Sequence, residues 1–131
     1  MSTTATETPP APSRKARVLI VEDEPILAFT LEDYLNSAGF DVVAVEGRLP
    51  AALAAIESTA LDVVILDANL AGVSAAPAAA ALTARGVPFI VVSGYLPEQQ
   101  LSAFSGGPRM QKPCRPDDLV RALHDLIPDH A

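Results

Sequence analysis

The chain has 131 residues, half of them apolar, enough for one domain with a buried core and too few for two. Its net charge of −7 lacks the basic footprint of a nucleic-acid-binding protein, and no apolar run is long enough to suggest a membrane segment. The single cysteine, Cys114, excludes an internal disulfide framework and fits a reducing cytoplasm. Trp is absent and aromatics are few, so the core has to be built from Ala, Val, Leu and Ile.

Residues 1–16 are rich in Thr, Pro, Ala and Ser and hold no apolar segment. They are not a signal peptide, and they read as a disordered tail ahead of a folded domain over 17–128. Apolar strands are expected near 17–21, 41–45, 62–67, 87–92 and 108–111. Helical patterns fall between them. Leu27, Leu31, Leu35 and Ala38 share one face in 25–38, with Pro25 suited to the first turn and Gly39 to the C-terminal cap. Residues 49–59 and 75–85 are Ala-rich helices, the second closed by Gly86. Residues 97–104 make a short helix opened by Pro97. In 117–127, Leu119, Leu123 and Leu126 share a face between Pro116 and Pro128.

Five strand–helix repeats imply an α/β fold, a doubly wound five-stranded parallel sheet with helices on both faces. With the flavodoxin-like strand order 2-1-3-4-5, ligands bind beyond the carboxyl ends of strands one and three, where the order reverses. Strand one runs Val18-Leu19-Ile20-Val21 straight into Glu22-Asp23-Glu24, and strand three runs Val63-Val64-Ile65-Leu66 into Asp67. Acidic residues after a single strand commonly just favour the dipole of the next helix. Two such clusters at one pole of one sheet converge, and converging carboxylates call for a cation. The acidic first loop would repel a phosphate ligand, and there is no GxGxxG or Walker motif. A hard divalent cation such as Mg²⁺ fits far better. Strand four ends in Ser93-Gly94 and strand five in Gln111-Lys112-Pro113, which adds a hydroxyl and an ammonium at the same pole. A cis bond before Pro113 would aim Lys112 inward.

These residues together resemble the CheY-like receiver domain of two-component response regulators, over about residues 16–128. That pattern has an acidic pair after strand one (Glu22, Asp23), a phosphoacceptor after strand three (Asp67), Ser or Thr after strand four (Ser93) and Lys-Pro after strand five (Lys112-Pro113). The segment Pro88-Phe89-Ile90-Val91-Val92-Ser93-Gly94-Tyr95 is similar to the motif of a narrower set, the FAT GUY single-domain regulators, from which Val91 and Val92 depart.

The resemblance implies that Asp67 accepts a phosphoryl group from a histidine kinase phosphohistidine. It implies Mg²⁺ held by Glu22, Asp23, Asp67 and the Asn69 carbonyl, with Lys112 paired to Asp67 and Ser93 donating to a phosphoryl oxygen. It further implies a cytoplasmic monomer that signals through protein partners, or relays or drains phosphoryl groups by way of a phosphotransfer protein, and that is not a turnover enzyme. Arg109 stands where most receivers place a switching aromatic. A guanidinium does not suit a buried aromatic slot. Signalling is therefore expected through Tyr95-Leu96-Pro97 and the weak helix after it. Two other readings compete, an Asp-nucleophile phosphohydrolase and a phosphorylation-independent interaction module. The hydrolase needs a second Asp where this chain has Asn69, and the intact Asp67, Ser93 and Lys112 count against the module. Cys114 is read as packing, His124 and His130 as surface residues, and Arg14, Lys15 and Arg17 as a solvated cluster where the domain begins.

Overall fold

The computed structural model describes residues 14–128. Five strands, β1 (Arg17–Val21), β2 (Asp41–Glu46), β3 (Val63–Asp67), β4 (Phe89–Ser93) and β5 (Arg109–Gln111), form one parallel sheet in the order β2-β1-β3-β4-β5. Helices α1 (Pro25–Ser37), α2 (Leu49–Ser58), α3 (Ala76–Arg85) and α4 (Pro116–Leu126) supply the crossovers and the closing helix. Each has proline in its first turn, where the missing N–H costs nothing. Gly39 (φ +99°) lets the chain reverse after α1, and the Phe40 N–H closes that turn onto the Leu35 carbonyl at 3.0 Å.

Alternation of side chains along the strands fills two layers. Leu19, Val21, Val64, Leu66 and Val91 pack toward α2 and α3. Val18, Ile20, Ile65, Ile90 and Val92 pack toward Leu31 and Leu35 of α1 and Leu119 and Leu123 of α4. The central strands are covered on both faces, which is why they read as unbroken apolar runs.

Several local features differ from the sequence expectation. The folded part starts before residue 17. Ala16 is buried and its carbonyl accepts the Asp41 N–H at 2.8 Å, while Arg14 pairs with Asp62 at 3.1 Å. Asp62 also accepts the Arg17 N–H at 2.7 Å. Arg14 and Arg17 thus tie the first strand to the loop before β3 and are not merely solvated. Residues 1–13 of the expected tail lie outside the described residues, as does His130.

The expected helix over 97–104 is a 3-10 segment, Glu98–Phe104. Phe104 is its one buried side chain, too little apolar contact to hold regular α turns. A small hairpin, Asn69–Leu70 against Val73–Ser74, follows β3 and was not expected. It turns on Ala71 (φ 53°) and Gly72 (φ 88°). His124 is half-buried and stacks on Phe40, ring centroids 5.4 Å apart, because α4 lies beside the end of α1.

Gly107 passes so close to β4 that a Cβ there would run into the Phe89 carbonyl. Gly94 has open space around it, with nothing within 4 Å of a Cβ. Gly107→Ala is therefore expected to cost about 1–3 kcal/mol through overpacking. Gly94→Ala, which meets no such contact, should stay close to the wild type. Urea unfolding of the two variants side by side checks this, and equal midpoints would contradict it.

Candidate functional site

The register of the sheet sets the site. Val21 pairs with Leu66, so the next residues, Glu22 and Asp67, emerge side by side. Asp67 pairs with Val92, which puts Ser93 one step beyond it. Ser93 pairs with Gln111, and the Lys112 N–H donates to the Ser93 carbonyl at 2.8 Å. Four of the five strands, β1, β3, β4 and β5, therefore deliver functional residues to the carboxyl pole of the sheet. The Lys112–Pro113 bond is cis.

Lys112 Nζ lies 3.0 Å from Glu22 Oε1 and 3.0 Å from Asp67 Oδ2. Glu22 and Asp67 are buried, as is Ser93. Asp67 Oδ1 also accepts the Asn69 N–H at 3.2 Å, and Glu22 Oε2 accepts the Glu24 N–H at 3.1 Å. Asp23 is half-buried beside them, and one oxygen each from Glu22, Asp23 and Asp67 can be chosen so that all lie within 4.8 Å of one another. The structure thus brings together Glu22, Asp23, Asp67, Asn69, Ser93 and Lys112. Glu24 stays exposed at the start of α1.

The charges bear the mark of this crowding. Burial pushes the Glu22 carboxyl above its ordinary range; the hydrogen bonds from Lys112 and from the Glu24 amide act the other way, and the Asp67 charge pushes it up again. Burial alone would lower the Lys112 ammonium. Its hydrogen bonds to Asp67 and Glu22 outweigh that and hold it above the usual lysine value. The pairing of Lys112 with Glu22 as well as Asp67 was not anticipated from sequence; the adjacency of strands one and three was its available signal.

The donor set is all oxygen, from three carboxylates, with no histidine in it. That chemistry fits a hard divalent cation and not a soft one. Cys114 stands nearby, half-buried, and burial raises its thiol, so it is an inert packing group. It lines a mostly apolar cavity of about 350 Å³ that runs from Asp67 and Lys112 between α1 and α4.

Three carboxylates sharing one ammonium leave net negative charge in a partly buried space. Asp67→Asn keeps an acceptor for the Asn69 N–H and removes one charge. In chelator-containing buffer this variant is expected to be more stable than the wild type by about 1 kcal/mol. A lower urea midpoint for the variant would contradict the repulsion.

The comparisons with known proteins follow the same outline. The response regulator receiver domain family matches residues 18–124. RegX3, a sensory transduction protein of Mycolicibacterium smegmatis, is 44% identical over 77 residues, 58% of this chain and 33% of that protein. The cell cycle transcriptional regulator CtrA of Caulobacter vibrioides is 29% identical over 117 residues, 85% of this chain and 50% of its own length. This chain spans half or less of the length of the curated relatives it matches. Among solved structures, SdrG from Sphingomonas melonis superposes with a TM-score of 0.72 at 36% identity, covering 86% of this chain and 97% of that one. The receiver domain of the sensor histidine kinase PA1611 from Pseudomonas aeruginosa, solved with a magnesium ion in its active-site cleft, gives a TM-score of 0.75 at 23% identity over 88% of this chain and 99% of its own. By sequence and by fold, the chain belongs to the response regulator receiver domain family.

Proposed function

We propose that the protein is a response regulator that accepts a phosphoryl group on Asp67 from a histidine kinase and signals through protein partners. The observation that carries this reading is the Lys112 ammonium, 3.0 Å from both Glu22 and Asp67 at the switch point of the sheet. In the reaction an Asp67 carboxylate oxygen forms a bond to phosphorus while the P–N bond of the donor breaks, and the imidazole leaves with its electron pair. Anion meets anion in that step, so catalysis is mostly positioning and neutralisation. Lys112 already touches the nucleophile and supplies one positive charge there. Ser93, at the end of the neighbouring strand, donates its hydroxyl to a phosphoryl oxygen. The open space around Gly94 and the small Ala68 side chain leave room for the donor's imidazole.

Glu22, Asp23, Asp67 and the Asn69 carbonyl are the groups that would hold Mg²⁺, which when bound neutralises charge between the nucleophile and the incoming phosphoryl group. The donor set supports this, and the magnesium ion in the PA1611 receiver cleft is in line with it. Burial of Glu22 favours a cation beside it.

The segment 88–95 supports membership of the FAT GUY set of single-domain regulators. In this reading the protein is not a turnover enzyme. It works as a cytoplasmic monomer on kinases, phosphotransfer proteins or downstream regulators, as a relay or a phosphate sink. Among the described residues no helix is long and apolar enough to cross a membrane. Its output runs through 95–107, where the 3-10 segment holds few buried side chains and so has low local stability. A phosphohydrolase reading lacks its second carboxylate, because Asn69 occupies that position with its side chain turned to the Gly72 N–H at 2.8 Å.

Incubation with acetyl phosphate and Mg²⁺, followed by a phosphate-affinity gel, tests the assignment. The wild type should shift, Asp67→Asn should not, and chelation of the metal should abolish the shift. Lys112→Ala should slow labelling by about 10²-fold, the loss expected when one preorganised charge is removed from the transition state. Steady release of phosphate from small phosphomonoesters, with no shifted band, would overturn the acceptor role.

A further inference from the structure

The cavity beside the acidic cleft has two unlike ends. It is about 350 Å³ and runs from the carboxyl pole of the sheet along the seam between α1 and α4. Its inner wall is apolar: Leu27 and Leu31 of α1, Ile65 of β3, Val92 of β4, and Cys114 and Leu119 across the seam. Leu31, Ile65, Val92 and Leu119 belong to the buried core, so the packing of the fold fixes this wall. Cys114 is short and half-buried, and the space it does not fill is part of the cavity. A volume of this size falls in the range that holds small ligands.

The outer end carries Glu22, Glu24, Asp67 and Lys112, and it accepts far more than it donates. Lys112 is turned toward Glu22 Oε1 and Asp67 Oδ2, 3.0 Å from each. Thr30, the one hydroxyl among the lining residues, gives its proton to the Ile26 carbonyl at 2.8 Å. Glu24 differs from the other carboxylates. Its side chain has no hydrogen bond or ion pair among the described residues, and it stands outside the trio that can share a metal ion. Three carboxylates thus face one ammonium at the mouth of an apolar chamber. An anion is repelled there, and a neutral apolar molecule leaves the surplus acceptors without a partner. A molecule with an apolar body and one cationic N–H group suits both ends. Its body covers the leucine wall, and its head reaches Glu24 and the outer lone pairs of Glu22 and Asp67.

We propose that this cavity is a binding site for a small organic cation, an ammonium or amidinium group on an apolar ring or short chain, and that its occupancy keeps Mg²⁺ from Glu22 and Asp67. The binding stands on the cavity itself; its consequence for signalling rests on the reading of Asp67 as the acceptor. The two cations need the same two carboxylates, so each lowers the affinity of the other. Mg²⁺ takes only oxygen ligands and makes no use of the apolar wall or of Glu24. The organic cation uses both. While bound, it leaves Asp67 without its metal and so slows phosphoryl transfer.

Benzamidine, benzamide and benzoate are probes of similar shape and different charge. Each is titrated into isotope-labelled protein without metal, and the amide NMR signals of Leu31, Cys114 and Leu119 are followed. Benzamidine should bind about tenfold or more tightly than benzamide, and benzoate should not bind. Added Mg²⁺ should raise the apparent Kd for benzamidine. Cys114→Phe fills the seam and should remove benzamidine binding while the shifts caused by Mg²⁺ persist. Glu24→Gln, at an exposed position, should weaken benzamidine about threefold or more and Mg²⁺ by less than about twofold. Equal binding of the three probes, benzamidine that Mg²⁺ does not displace, or unchanged benzamidine binding in Glu24→Gln overturns the site. In acetyl phosphate labelling, benzamidine should slow the gel shift of the wild type and not that of Cys114→Phe. An undiminished rate with benzamidine bound overturns the competition. No labelling of the wild type even without benzamidine overturns the acceptor reading, while the titrations still decide the site.

Discussion

One ammonium between two buried carboxylates is the interaction on which the site depends. Without Lys112, Glu22 and Asp67 would face each other and Asp23 with no compensating charge, in a place where water screens poorly. Lys112 comes from the end of β5, an edge strand of three residues, and reaches inward past β4 to do this. The pairing makes the resting site tolerable without making it neutral. Residual negative charge is what gives it affinity for a hard cation, and a cation is what would let a phosphate group approach a carboxylate.

The sheet turns that interaction into an arrangement. Parallel strands deliver their carboxyl ends to one pole, and the order β2-β1-β3-β4-β5 separates the helix that follows β1 from the one that follows β3. The cleft left at that reversal is where Glu22 and Asp67 meet. Ser93 then stands one strand over, one step beyond Asp67's partner Val92, and lines a cavity that also holds Arg109.

Much of this was legible in the sequence, and the reasons are specific. Strands covered on both faces have no polar positions, so β1 and β3 stand out as unbroken Val, Leu and Ile. The polar residues that end such runs are then conspicuous, and Glu22, Asp23, Asp67, Ser93 and Lys112 were found that way. What was not legible depended on tertiary contact. The hairpin at Asn69–Leu70 turns on Ala71-Gly72, and alanine gives little warning of a positive φ. The 3-10 geometry of Glu98–Phe104 follows from how little of it the sheet covers, which no local pattern reports. Arg14 and Ala16 look like tail residues, yet Asp62 and Asp41, each more than twenty residues away in sequence, fasten them. The resemblance to receiver domains implied the pairing of Lys112 with Asp67, but its second bond, to Glu22, needed the actual distances.

The most direct test of the central claim is to find the modified atom. After incubation with a phosphodonor and Mg²⁺, borohydride reduction cleaves an acyl phosphate and leaves a stable mark at the modified carboxylate, which peptide mass spectrometry then locates. The account predicts a mark at Asp67 alone, absent when the metal is chelated. A mark at Glu22 or Asp23, or phosphate held in a borohydride-resistant ester on Ser93, would contradict it.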